Sequence, residues 1–203
     1  RTTFAKNIKT VLEKNKLDGI DLDFEWAENE KEYKDYSLAI LKMREVLGDK
    51  YLFSVSLHPV CYKISKEAIE AVDFISLQCY GPSPVRFPIE KYCSDIQMVL
   101  EYGIPKEKLV AGVPFYGVTK DNSKKTEAYF NFVQNGLVTS PAQNEVIYQG
   151  DTYVFDGQDN IRIKTRYAKE QKLKGMMSWD LATDLPLSDS RSLLKTMTEE
   201  LRE

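Results

Sequence analysis

Leu17-Asp18-Gly19-Ile20-Asp21-Leu22-Asp23-Phe24-Glu25-Trp26 decides how this chain is read. Apolar and acidic residues alternate through it, and the side chains of a β-strand alternate between its two faces. Read as a strand, the segment puts Asp21, Asp23 and Glu25 on one face and Ile20, Leu22 and Phe24 on the other. The apolar face is expected under helices. The acidic face is expected to line a buried interior, with Glu25 nearest the C-terminal end. Like charges a few ångströms apart raise one another's pKa, and desolvation adds to the effect. A strand that only had to fold gains nothing from three such groups, whereas a site that needs a protonated acid near neutral pH does.

Working outward, helical and strand-like patterns alternate. Phe4, Ile8, Val11 and Leu12 predict a helix over 3–16, and Tyr36, Ala39, Ile40, Met43 and Leu47 predict another that Gly48 ends. Further strands are expected at 51–57, 72–80, 109–116 and 175–181, with helices at 65–71, 89–102, 161–172 and 188–201. The stretch from about 118 to 160 reads as a short irregular insertion, with a helical piece at 126–135 and a hairpin arm at 146–155.

Alternating strands and helices make βα units and a parallel sheet. Two architectures fit: an open doubly wound sheet, or a segment of a (β/α)8 barrel. No Gly-rich phosphate loop follows the first strand. Chemistry-bearing residues gather at strand C-terminal ends, as in a barrel. The expectation is therefore an α/β fold, a segment of a (β/α)8 TIM barrel with five βα units.

Composition narrows the function classes. Hydrophobic residues make up 42% and charged residues 29%, an ordinary globular balance. The net charge of −3 gives no electrostatic reason to expect nucleic acid or an anionic membrane. No apolar run approaches the ~20 residues of a membrane helix. Cys61, Cys79 and Cys93 fit no metal-ligand spacing; Cys61 and Cys93, which both follow strand ends, are a candidate disulfide. His58 is the single histidine, so no His-rich metal site can form and no histidine triad is attractive; it reads as a surface residue. Neither a metal nor a cofactor is expected. The rivals for the acidic strand are a solvated face and a divalent-cation cluster.

Asp18-Gly19-x-Asp21-x-Asp23-x-Glu25 resembles, at every fixed position, the Asp-Gly-x-Asp-x-Asp-x-Glu signature of family 18 glycoside hydrolases, the chitinase-like enzymes. Three other segments follow in that family's order. Gln78-Cys79-Tyr80 is similar to its sixth-strand segment, Gly112-Val113-Pro114-Phe115-Tyr116-Gly117 to its seventh, and Gly175-Met176-Met177-Ser178-Trp179-Asp180 to its eighth. The resemblance implies that residues 1–203 supply strands 4 to 8 of that barrel, one incomplete catalytic domain completed by N-terminal strands from the same polypeptide or another chain, and a retaining, substrate-assisted hydrolysis, an exception to the usual two-carboxylate scheme. It implies Glu25 as general acid, Asp23 as the group that stabilises the oxazolinium, Asp21 as its tuner and Tyr80 as the orienter of the 2-acetamido carbonyl. Trp179 would floor the sugar site, with Tyr116, Gln78 and Trp26 as further substrate-binding candidates.

The implied substrate is a β-1,4-linked N-acetylglucosamine polymer, chitin or a chito-oligosaccharide, and the implied location is secreted or extracytoplasmic. The same motifs leave open an endo-β-N-acetylglucosaminidase acting on N-glycans or peptidoglycan, and a non-catalytic chitin-binding lectin. A metal-dependent phosphoryl-transfer domain would instead need a divalent ion at the acidic strand. Two departures stand out. Gly81 occupies the place where many members carry Asp or Asn after the tyrosine, and the insertion before the last strand is short, which implies a shallower groove.

Overall fold

The computed structural model describes residues 1–202. Helix α1 (Thr2–Asn15) ends where Lys16 turns into the left-handed region at φ 55°, and strand β1 (Gly19–Asp23) follows. Helix α2 (Glu30–Leu47) starts at Asn29, whose side chain accepts from the Glu32 N–H, so a helix-end donor that would otherwise be orphaned is capped. The remaining βα units are β2 (Leu52–Leu57), α3 (Lys66–Ala71), β3 (Phe74–Leu77), α4 (Ile89–Tyr102) and β4 (Leu109–Pro114).

β4 leads through Phe115 directly into an antiparallel sheet. Its elements are β5 (Tyr116–Thr119), β6 (Thr126–Ala128), α5 (Tyr129–Gln134), β7 (Glu145–Tyr148) and β8 (Asp151–Val154). Helix α6 (Gln158–Glu170), β9 (Gly175–Trp179) and α7 (Leu193–Arg202) complete the order.

The main sheet is parallel throughout, in the order β1-β2-β3-β4-β9. One face is apolar. Phe53, Val55, Leu57, Ile75, Leu77, Leu109, Ala111 and Val113 point into the core under the helices and are each at most 2% exposed. The other face is polar, and the register lays its residues side by side: Asp21 opposite Ser54, Asp23 opposite Ser56, Ser56 opposite Ser76. Gly19 lets β1 approach β2, because a Cβ there would stand 2.2 Å from the Leu52 carbonyl oxygen.

The structure alters four sequence expectations about the fold. β1 leaves the ladder after the Asp23–Ser56 pair, so Phe24, Glu25 and Trp26 lie in the loop beyond the strand. The three carboxylates are solvent-exposed, because β1 is an edge strand paired on one side only and its polar face is open. The stretch read as irregular carries a four-stranded sheet in the order β6-β5-β8-β7, packed on α5 by Phe132, Tyr148, Tyr153 and Phe155 with ring centroids 5.4–5.9 Å from Phe132. All three cysteines are free: Cys61 is in the loop after β2 and Cys93 in α4, which packs on α6, so the candidate bridge does not form.

Candidate active site

The groove lies over the C-terminal ends of the parallel strands, a cleft of about 260 Å³. Seven of the eight residues singled out from the sequence line it: Asp23, Glu25 and Trp26 from β1 and its exit, Gln78 and Tyr80 after β3, Tyr116 after β4, and Trp179 at the end of β9. Asp21 sits beneath them. Its Oδ1 accepts from the Ser54 hydroxyl at 2.5 Å and its Oδ2 from the Ser56 hydroxyl at 2.8 Å. Both serines come from alternate positions of β2, so the strand period itself delivers them to one carboxylate.

Gln78 ties the other two acids together. Its amide nitrogen donates to Asp23 Oδ1 at 3.1 Å and stands 3.4 Å from Glu25 Oε1. Although Asp23 reaches solvent, its carboxyl is held above the usual carboxylate range, first by partial desolvation in the groove, then by the negative charges of Glu25 and Asp21, while the Gln78 bond pulls the other way.

The aromatic side of the groove is rigid. Tyr80 and Tyr116 meet edge to face at 6.5 Å, and Phe87 closes on Tyr116 at 6.4 Å. Burial pushes both tyrosine hydroxyls above their ordinary pKa, so they act as neutral donors. Gly112 makes room for Tyr80: a Cβ there would stand 2.9 Å from Tyr80 Cε1. Among the described residues the Tyr80 hydroxyl has Met177 Sδ as its partner at 3.6 Å, a weak acceptor, which leaves it available to a ligand. Trp179 is 54% exposed and presents a broad ring face at the groove. Its backbone is fixed by the Phe115 N–H on its carbonyl and by a capping box between Asp180 and Thr183. The Glu25–Trp26 and Trp179–Asp180 peptides are cis.

His58, expected at the surface, is instead buried and lines the groove with Gly81 and Pro82. It follows β2 as Trp26 follows β1, so the rule that selects residues at strand C-terminal ends would have found it. Among the described residues, no group of three His, Cys, Asp or Glu side chains is placed to hold a metal ion. Among the described residues, no helix is long and apolar enough to cross a membrane.

A row of carboxylates at the open end of a parallel sheet, faced by tyrosines and an exposed tryptophan, thus lines one groove on an α/β fold. The sequence profile described as "Glycosyl hydrolases family 18" matches residues 1–184, and the chain belongs to that family. It is 23% identical over 248 residues to "Probable chitinase 2" of Drosophila melanogaster, covering 91% of this chain and 51% of that protein. The GH18 chitinase ChiB from the chitin utilization locus of Flavobacterium johnsoniae superposes with a TM-score of 0.80 at 28% identity, over 98% of this chain and 65% of that one. A chitinase from Bacteroides thetaiotaomicron shares the fold with a TM-score of 0.84 at 20% identity, over 98% of this chain and 68% of that one. The chain thus spans about half the length of this curated relative.

Proposed function

We propose that this chain forms the catalytic groove of a retaining glycoside hydrolase that cleaves β-1,4-linked N-acetylglucosamine polymers, with its five parallel strands standing as consecutive strands of a (β/α)8 barrel. The observation that carries the reading is the row Asp21–Asp23–Glu25, bridged by Gln78 and facing Tyr80 across the groove.

In this mechanism Glu25 gives its proton to the glycosidic oxygen as the bond from that oxygen to C1 breaks. The carbonyl oxygen of the sugar's own 2-acetamido group bonds to C1 and forms an oxazolinium ion. Asp23 accepts a hydrogen bond from the acetamido N–H and balances the developing charge. Asp21, fixed by its two serines, lies behind Asp23 and adds to the negative charge that raises the Asp23 pKa. The Tyr80 hydroxyl donates to the acetamido carbonyl and holds it in line. Water then attacks C1 while the Glu25 carboxylate takes its proton; the oxazolinium opens, and the configuration at C1 is retained. Trp179 stacks under the ring being attacked, with Trp26 and Tyr116 as walls. No step uses a metal.

The substrate's acetamido group supplies the nucleophile, so the test is chemical. Chitin oligomers are expected to be hydrolysed with retention, read by NMR of the first-formed anomer, and fully deacetylated chitosan oligomers are expected to resist. An inverted product, or equal rates on both, sinks the mechanism. Cleavage of N-glycan cores in preference to chitin oligomers would move the substrate assignment to the endo-β-N-acetylglucosaminidases.

A further inference from the structure

His58 stands between the two sides of the groove. Its Nε2 lies 3.0 Å from the Tyr80 carbonyl oxygen, and its Nδ1 lies 3.2 Å from the Val60 backbone nitrogen. A carbonyl oxygen can only accept and a backbone N–H can only donate, so both contacts are made by one form of the ring: neutral, with the proton on Nε2. Trp26, the residue after Glu25, packs on the same ring at 4.8 Å and 62°. A single buried side chain therefore touches the β1 exit that carries the acid and the β3 exit that carries Tyr80.

We propose that His58 is a positioning residue for the hydrolysis: as the neutral Nε2–H tautomer it holds Tyr80 and Trp26, and through them the acetamido-orienting hydroxyl and Glu25, in register across the groove. The inference rests on the groove being the active site proposed above. Burial holds the imidazole pKa below its ordinary value, and Arg86 before α4 adds to this; the Tyr80 carbonyl and the charges of Asp95 on α4 and Glu25 oppose it. Arg86 is itself paired with Asp95 at 3.1 Å. A second proton would place a donor at Nδ1 against the Val60 N–H and break that contact, so the site is built to keep the ring neutral.

Two amide variants separate the contacts. His58→Gln is long enough to donate to the Tyr80 carbonyl; His58→Asn is too short to reach it. In the protein's natural full-length form, His58→Gln is expected to keep kcat within about threefold, while His58→Asn loses between about tenfold and 10²-fold in kcat with KM less affected. Both variants are expected to melt near wild type. The ¹⁵N NMR signal lost in His58→Gln is expected to report a neutral Nε2–H ring at neutral pH. An Nδ1–H tautomer, a wild-type kcat in His58→Asn, or equal losses in both variants that track loss of folded protein would each overturn the proposal. Should wild type cleave no 2-acetamido glycan, the functional reading falls. The role of His58 in the groove is then judged by its tautomer and by calorimetric titration with chito-oligosaccharide: weaker binding in His58→Asn alone supports it, equal binding in both variants rejects it.

Discussion

Glu25 sits just past the end of β1, where the strand no longer constrains its side chain and the Gln78 amide is its neighbour. Glu25→Gln keeps the shape and removes the transferable proton. It is expected to lower kcat by about 10²–10⁴-fold while chito-oligosaccharide still binds; turnover near wild type would take the acid role from Glu25. Asp23 makes a second prediction. Its folded pKa is above its unfolded value, so between the two the folded state binds more protons than the unfolded state. Stability therefore falls as pH rises through that window and stays lower above it. Asp23→Asn removes the penalty: urea melts between pH ~4 and ~7 should show a flatter profile and a more stable protein at the upper end. The same variant should lose about 10²–10³-fold in kcat, because the oxazolinium loses its counter-charge. A variant as pH-sensitive as wild type would show that the Asp23 charge costs the fold nothing. Asp21 and Asp23 were legible in the sequence because strand alternation places acids two apart on one face, whereas Glu25, which continues the alternation on paper, stands beyond the end of β1. His58 was not legible, because a lone histidine carries no period and only its place after a strand marks it.

At the scale of elements, α6 is bound to the groove's aromatic wall by a buried lysine that an ion pair within the same segment holds in place. Lys164 and Asp156 are both fully buried and 2.6 Å apart, and Lys164 also donates to the Phe87 carbonyl at 2.9 Å, above the ring of Tyr92. Phe87 in turn packs on Tyr116. Lys164→Met strands the Asp156 charge away from water and is expected to cost about 3–5 kcal/mol, whereas replacing both partners with apolar residues should cost less. Chemical denaturation of the single and double variants decides this; equal losses would mean that the pair's charges are not what matters. The sequence showed α6 as a helix but not this lysine's burial, since a charged residue on a helix reads as surface. The parallel strands were legible from apolar runs bounded by turns. β5 to β8 were harder to see: each is only three or four residues long, too short for a period to declare itself, and their order is set by aromatic packing on Phe132 rather than by local pattern.

At the scale of the molecule, the parallel sheet has two open edges, β1 and β9. Such edges offer unpaired N–H and C=O groups to other strands. Around them lie exposed apolar side chains: Phe4, Leu17 and Phe24 are 45–48% exposed beside β1, and Trp179 and Leu181 are 54% and 62% exposed beside β9. Phe4, Leu22, Phe24 and Tyr36 also line an apolar hollow between α1, α2 and β1. Edge pairing and apolar association act in the same direction, and the net charge of −3 opposes them weakly. The isolated 203-residue chain is therefore expected to self-associate at about 10 µM. Phe24→Lys combined with Leu181→Lys puts a charge beside each edge, the device by which natural sheets blunt them, and should shift the population toward monomer. Light scattering after size-exclusion chromatography measures both. A wild-type chain that runs as a monomer and unfolds cooperatively would show that the two edges are already protected by their own loops.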